Sequence, residues 1–201
     1  MGGSVSGRKS NAEKLIKSFI QLLIGDYEMK SINPYLNFPG NTEEAFNFYK
    51  KVFGSDFFGG INRFKDAPGT EKLSASDKEK VMHVGLPMGN NNFMMATDAI
   101  ESMGHKVTFG NNFYIAIDAE SREEADKLFK GLSEGGNVEM PMADQFWGDY
   151  FGSLVDKFSV QWMVIYSPPK QLLLFTLKGK NEKTNIAGAN ECGWIYCWSQ
   201  R

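Results

Sequence analysis

Two cysteines, Cys192 and Cys197, are all that 201 residues contain, and both stand near the chain's end. They cannot staple the body of the protein, so no disulfide framework is expected and a reducing compartment, the cytoplasm, is the default. Histidine is as scarce. His83 and His105 lie far apart, and two histidines make no zinc site without two further ligands. An excess of charge of one sign is missing too: the net charge is −2 with Lys and Arg scattered, so no basic face offers itself to nucleic acid. Nor is there a long hydrophobic run. Phe19 to Ile24 is broken by Gln21 and preceded by Lys17 and Ser18, too short to span a bilayer and without a small-residue cleavage site. A glycine-rich phosphate loop, a Ser-His-Asp order and a nucleophilic cysteine context are absent. Nucleic acid and membrane are therefore not expected partners.

What is present is an internal repeat. Asn41-Thr42-Glu43-Glu44-Ala45 follows the apolar run Ile32 to Phe38, and Ser121-Arg122-Glu123-Glu124-Ala125 follows the run Phe113 to Ile117. In each copy a capping residue (Asn41, Ser121) stands three positions before a glutamate, the arrangement that satisfies orphan donors at a helix start. Two similar modules sharing one sheet or cup follow from this. Strands are expected at 32–38, 56–64 (bent at Gly59-Gly60), 80–87 and 92–97, with a helix at 42–53 and a mobile loop at 65–79. The second module repeats the order: a strand at 112–118, a helix at 121–132, and strands near 136–141, 150–156 and 160–167. Each module is thus strand, helix, three strands. Residues 1–29 read as a flexible leader running into an amphipathic helix at about 11–25, residues 30–168 as the domain (modules 30–98 and 112–168), and 169–201 as a C-terminal extension.

These residues carry a family resemblance. Asn33-Pro34-Tyr35-Leu36-Asn37-Phe38, Phe48-Tyr49, His83-Val84 and Met94-Met95-Ala96-Thr97-Asp98 match in the first module. Phe146-Trp147-Gly148, Asp156-Lys157-Phe158 and Gln161-Trp162-Met163 match in the second. The chain resembles the PhnB-like branch of the vicinal oxygen chelate (glyoxalase/bleomycin resistance/dioxygenase) superfamily. That resemblance implies an α+β fold, two tandem βαβββ modules forming a cup-shaped sheet, and a homodimer. Members are often labelled as a 3-demethylubiquinone methyltransferase domain, yet no glycine-rich loop for a methyl donor follows the first strand here. In metal-using relatives each module gives two ligands to a divalent ion that acts as a Lewis acid. Carried over, those positions fall on Asn33 or Pro34, on Met95 or Ala96, on Asn112 and on Met163. None is a histidine or a carboxylate, and amide carbonyls with thioethers make a poor divalent site. No metal or other cofactor is therefore expected.

Candidate side chains come from alternation. His83 shares a strand face with Gly85 and Pro87; facing the cup it would be a general base or a single ligand, and otherwise a strand histidine bonded to its neighbours. Glu139 points opposite Val138 and Met140 and is the best carboxylate candidate if it faces the cup. His83 and Glu139 are thus the catalytic candidates. Tyr35, His83, Met95, Asn112, Trp147 and Trp162 are expected to contact a ligand, with Met94, Met140, Met142 and Met163 as adaptable lining or plain core. Asp98 and Asp149 read as rim acids or turn caps. The expected function is capture of a small apolar or aromatic molecule without the usual metal. The alternative is a metal-dependent or His-assisted lyase, isomerase or dioxygenase. Trp and Met side chains filling the cup themselves would instead mark a structural dimer.

Overall fold

Alternation of side chains in Tyr35–Phe38 builds the first strand, β1, burying Leu36 and Phe38 and exposing Tyr35 and Asn37. A computed structural model describes residues 31–169; the expected leader helix and the C-terminal extension lie outside the described residues. After β1 come helix α1 (Thr42–Phe53), strand β2 (Ile61–Arg63), a short helix α2 (Ala75–Lys78), and strands β3 (Val81–Pro87) and β4 (Phe93–Asp98). The second module supplies β5 (Ile115–Asp118), helix α3 (Arg122–Leu132), β6 (Asn137–Asp144), β7 (Tyr150–Val155) and β8 (Gln161–Tyr166). The fold is α+β, with the two βαβββ modules in tandem. Each module forms its own four-stranded sheet, in the orders β1-β4-β3-β2 and β5-β8-β7-β6. β1 runs parallel to β4 and β5 to β8; the other neighbours are antiparallel.

The two helices start differently. Ser121 caps α3 as expected, its Oγ accepting Glu124 N–H at 3.1 Å, while Glu124 Oε2 accepts Glu120 N–H at 2.7 Å. Asn41 makes no side-chain cap bond, and its Oδ1 is buried without a partner. The cause is Asp98. This carboxylate, 3% exposed at the end of β4, accepts Thr42 N–H at 2.9 Å and Val81 N–H at 2.8 Å. It thereby satisfies the α1 terminus from another strand. Gly54 closes α1 with φ 66°, its N–H bonding to the Lys50 carbonyl, in the left-handed conformation that glycine adopts without a steric penalty.

Other boundaries move. The first strand begins at Tyr35 rather than Ile32, which is left exposed. Only Ile61–Arg63 is strand in the segment expected as 56–64, because Gly59 and Gly60 both turn at positive φ, although Phe58 N–H still bonds to the Gly85 carbonyl at 2.8 Å. The segment expected as a loop contains a 3-10 turn at Phe64–Asp66 and α2, the latter capped by Ser74 Oγ on Asp77 N–H at 3.1 Å. Helices this short carry no apolar period to read.

Both sheets turn their helix-bearing faces into one shared core. α1 and α3 meet where Gly131 admits Val52; a Cβ on that glycine would stand 3.1 Å from Val52 Cγ1. Phe158, from the turn before β8, packs edge-on against Phe38, Phe48 and Tyr49, and Trp162 against Tyr49, the geometry that aromatic quadrupoles favour. Asp156 ties the modules, accepting Tyr49 O–H (2.7 Å), Trp162 Nε1–H (2.8 Å), Phe158 N–H (2.8 Å) and Val160 N–H (3.0 Å). With the helices on these faces, neither sheet has a helix among the described residues on its opposite face, where Tyr35, Asn37, Asn62, Ala116, Asp118 and Glu139 are exposed.

Candidate ligand-binding site

Pleating decides which side chains reach the open face of the first sheet. In β4, Met94 and Ala96 are buried toward α1, which leaves Met95 and Thr97 on the other side. The rung Tyr35–Met95–Gly85 then crosses β1, β4 and β3, and Asn62 of β2 stands opposite His83. Tyr35, His83 and Met95 are therefore brought together on one face. Tyr35 Oη lies 3.4 Å from His83 Nδ1, with the rings 6.0 Å apart and tilted by 30°. With the phenol donating to Nδ1, a neutral imidazole carries its proton on Nε2. Nε2 lies over Gly85, 4.0 Å from where a Cβ there would stand, with Met95 Cγ at 3.9 Å. The absent side chain leaves a shallow floor between the imidazole Nε2 and a thioether. Partial burial raises the Tyr35 phenol pKa, opposed by a hydrogen bond with Thr97, so the hydroxyl stays protonated at neutral pH.

Beside β1 runs an open groove of about 620 Å³ between that strand, the inter-module linker and the β7–β8 turn, bordered by Tyr35, Asn37, His105, Phe109, Phe113 and Ser159. It does not include His83. Tyr35 belongs to both, so groove and imidazole adjoin through one ring. The groove carries polar side chains of its own, among them Asn37, His105, Lys106, Thr108 and Ser159; on the His83 face the polar groups are joined by a hydrogen bond, an arrangement that can fix a ligand's orientation. His105 is exposed on the linker.

The second sheet carries a comparable cluster. Glu139 Oε2 accepts Tyr114 O–H at 2.8 Å and Ser153 O–H at 3.3 Å. The register between β6 and β7 slips between Val138 and Met140, a bulge that seats Glu139 beside Ser153. Tyr114 was not singled out from the sequence. The one-residue difference in spacing between the repeats concealed that it matches Tyr35.

Three expected ligand contacts lie elsewhere. Trp162 is fully buried in the helix-side core, its indole N–H committed to Asp156, because Trp162 and Val164 alternate inward. Met94 and Met142 share that inward face. Asn112 is exposed in the linker ahead of β5 rather than on it. Trp147 sits in the β6–β7 turn, edge-on to Phe146 and Phe151. Asp98 is a buried structural acceptor, and Asp149 accepts the Ser167 hydroxyl at 2.7 Å.

The donor set does not suit a divalent ion at the positions the resemblance marks. Asn33 Oδ1 is occupied by Phe93 N–H at 2.7 Å, pinning the chain ahead of β1 to the start of β4. Met95 and Met163 offer only thioethers, which are soft donors. Among the described residues, no three His, Cys, Asp or Glu side chains are grouped to hold a metal ion. No helix among them is long and apolar enough to cross a membrane.

Comparison with known proteins places the chain among relatives. The family model described as 3-demethylubiquinone-9 3-methyltransferase matches residues 30–165. Protein YjdN of Escherichia coli K12 is 28% identical over 141 residues, 66% of this chain and 92% of that protein. The crystal structure of PA1353 from Pseudomonas aeruginosa superposes with TM-score 0.61 at 34% identity, covering 69% of this chain and 98% of that one. A PhnB protein structure from Bacillus cereus gives TM-score 0.54 at 29% identity, covering 69% and 100%.

Proposed function

The chain belongs to the PhnB-like family described as 3-demethylubiquinone-9 3-methyltransferase, and from that premise we propose that it binds a small aromatic or apolar molecule on the open face of its first sheet, without a divalent metal. The observation that carries this reading is the Tyr35–His83 pair poised over Gly85 beside Met95. An imidazole N–H takes an acceptor on the ligand, while the Tyr35 ring and the Met95 thioether supply apolar contact. The committed Asn33 amide and the thioethers at the marked positions support metal-free binding. Transfer of a methyl group has no support here: Pro39-Gly40-Asn41 leads from β1 directly into α1, with no glycine-rich loop for a methyl donor.

A homodimer completes the site in this reading. Tyr35, Phe58, Phe113 and Val138 are 47%, 70%, 53% and 44% exposed. A partner copy would cover apolar surface of this kind. The open face of the first sheet leaves Tyr35, Asn37 and Asn62 exposed, and a two-fold pairing would give every copy the same cover. The paucity of cysteine supports a cytoplasmic setting.

The test is a thermal-shift panel of phenols, aromatic carbonyls and apolar aromatics on the full chain, with calorimetry on each hit and ultracentrifugation for oligomeric state. His83→Ala should weaken a genuine hit by about tenfold, roughly the worth of one hydrogen bond plus lost contact. Tyr35→Phe should weaken it less. Hits that keep their affinity in both variants would sink the assignment.

A further inference from the structure

Four strands stand at sheet edges: β1 and β2 in the first sheet, β5 and β6 in the second. An edge strand presents unpaired main-chain groups, and proteins blunt it with charge, proline or a bulge. β2 has Arg63 and a register slip, β6 has Glu139, Pro141 and two slips, and β5 ends on Asp118. β1, Tyr35-Leu36-Asn37-Phe38, has none of these. Its open side is set by the parallel register. The Pro34 and Phe38 carbonyls accept Met95 N–H at 3.0 Å and Ala99 N–H at 2.7 Å, so the main-chain groups of every second residue point at β4. Those of Tyr35 and Asn37 point the other way, and no main-chain partner meets them among the described residues.

Along that side runs the groove of about 620 Å³. All four residues of β1 border it, and across from them so does every linker residue from 104 to 110. A slot between two lengths of main chain has the form of an extended peptide rather than of a compact molecule. Its far wall is held in place. Gln161, 4% exposed, donates from Nε2 to the Gly110 carbonyl at 3.2 Å and the Phe113 carbonyl at 2.8 Å. Phe109 and Phe113, both about half exposed, offer rings beside the slot. Charge points to one kind of peptide. The lining holds His105 and Lys106 but no Asp or Glu, and Lys106 has no ion-pair partner among the described residues.

We propose that this groove takes a short extended peptide that adds a strand to β1, with an acidic side chain set against Lys106 and apolar ones against Tyr35, Phe109 and Phe113. Main-chain hydrogen bonds to Tyr35 and Asn37 supply affinity, and alternate side chains supply selectivity. A second copy of the chain suits the edge less well, because the linker stands where its sheet would have to approach.

The probe is acetyl-Thr-Val-Glu-Val-Thr-amide, titrated into the full ¹⁵N-labelled chain while amide shifts and hydrogen exchange are followed. In the free chain the Tyr35 and Asn37 amides should exchange fast, and those of Leu36 and Phe38 slowly. Saturating peptide should shift and slow the first pair. The same peptide N-methylated at its three central residues has lost its ladder donors and should bind about fivefold more weakly or worse. Glutamine in place of its glutamate should weaken binding about threefold, the scale of one exposed ion pair, and Lys106→Ala should abolish that difference. His83→Ala should leave the peptide's affinity unchanged, which separates this groove from the neighbouring imidazole face. Equal binding by the N-methylated peptide, or no saturable shift at Tyr35 and Asn37 up to about 10 mM, overturns the proposal. So does slow exchange of these two amides without peptide. Protection that grows with protein concentration would mean that a second copy fills the edge, and protection that does not would mean that a part of the chain outside residues 31–169 fills it.

Discussion

Replacing Asp156 should loosen the join between the modules more than any other single polar change. Its carboxylate is 3% exposed and accepts four hydrogen bonds, two on each oxygen. Oδ2 holds Tyr49 of α1 and Trp162 of β8, and so reaches across the modules, while Oδ1 holds the Phe158 and Val160 amides of its own turn. Asp156→Ala orphans four buried donors. Bonds to a charged acceptor are worth about 1.5–3 kcal/mol each, though the sum is offset by the carboxylate's own desolvation. A net loss of about 3–5 kcal/mol is the outcome typical of breaking a buried charged network. Asp156→Asn should cost about half as much. Its amide oxygen can keep the two backbone bonds, but its NH2 cannot accept from the Trp162 indole. Urea unfolding followed by tryptophan fluorescence at fixed protein concentration measures both, since a dimer makes stability depend on concentration. A double-mutant cycle with Tyr49→Phe should return a coupling of about 1–2 kcal/mol. Asp156→Ala within about 1 kcal/mol of wild type would refute the reasoning, because the four bonds would then be worth no more than surface contacts.

Three further outcomes follow from the same geometry. Burial, then the Asp156 charge and its hydrogen bond, push the Tyr49 phenol far above its ordinary value. The folded state therefore binds a proton that the unfolded chain releases above about pH 10, and stability falls with rising pH there by about 1.4 kcal/mol per unit for this group. Tyr49→Phe should remove that increment, and identical slopes from about pH 10 to about pH 11.5 in both proteins would contradict it. Gly152→Ala would place a Cβ 2.6 Å from Met142 Sδ and 2.8 Å from Phe129 Cε2. Overpacking of that kind costs about 1–3 kcal/mol, whereas a Cβ on Gly110 meets only Asn112 Oδ1 at 3.7 Å, so Gly110→Ala should be near neutral in thermal melts. Ser121→Ala should cost about 1 kcal/mol and Asn41→Ala a few tenths, the reverse of what two equal caps would give.

The repeat and the element order were legible because they rest on local signals: apolar alternation, a capping residue before Glu-Glu-Ala, and glycine at turns. α1 falls at 42–53 as its period indicates, and the strands of the second module lie within a few residues of their expected positions. Side-chain direction was legible only where both neighbours spoke. His83 and Met95 alternate with plain core residues and reach the open face. Trp162 alternates with Gln161 and Met163, and nothing local says that an indole rather than a thioether turns inward. The choice is made by Asp156 and Tyr49, a hydrogen-bond partner and a ring contributed from elsewhere in the chain. The Asn41 cap failed for the same reason. Asp98 lies 56 residues beyond Thr42, whose amide it takes, and outcompetes the neighbour.

That failure says how the two modules diverged. Asp98 closes the first module's helix start and pins β3, so Asn41 is released from capping. The second module has Val164 at the corresponding rung and must cap α3 with Ser121 instead. Its buried acid sits in the β7–β8 turn, where Asp156 reaches into α1 and bonds the halves together. Backbone register survives duplication because a one-residue slip would turn a whole strand inside out. Single side chains are free to change as long as each buried donor finds some acceptor. On the open faces even that restraint is lifted, since water can satisfy whatever is left. Those faces are where the scaffold holds an imidazole, His83, in one module and a carboxylate, Glu139, in the other.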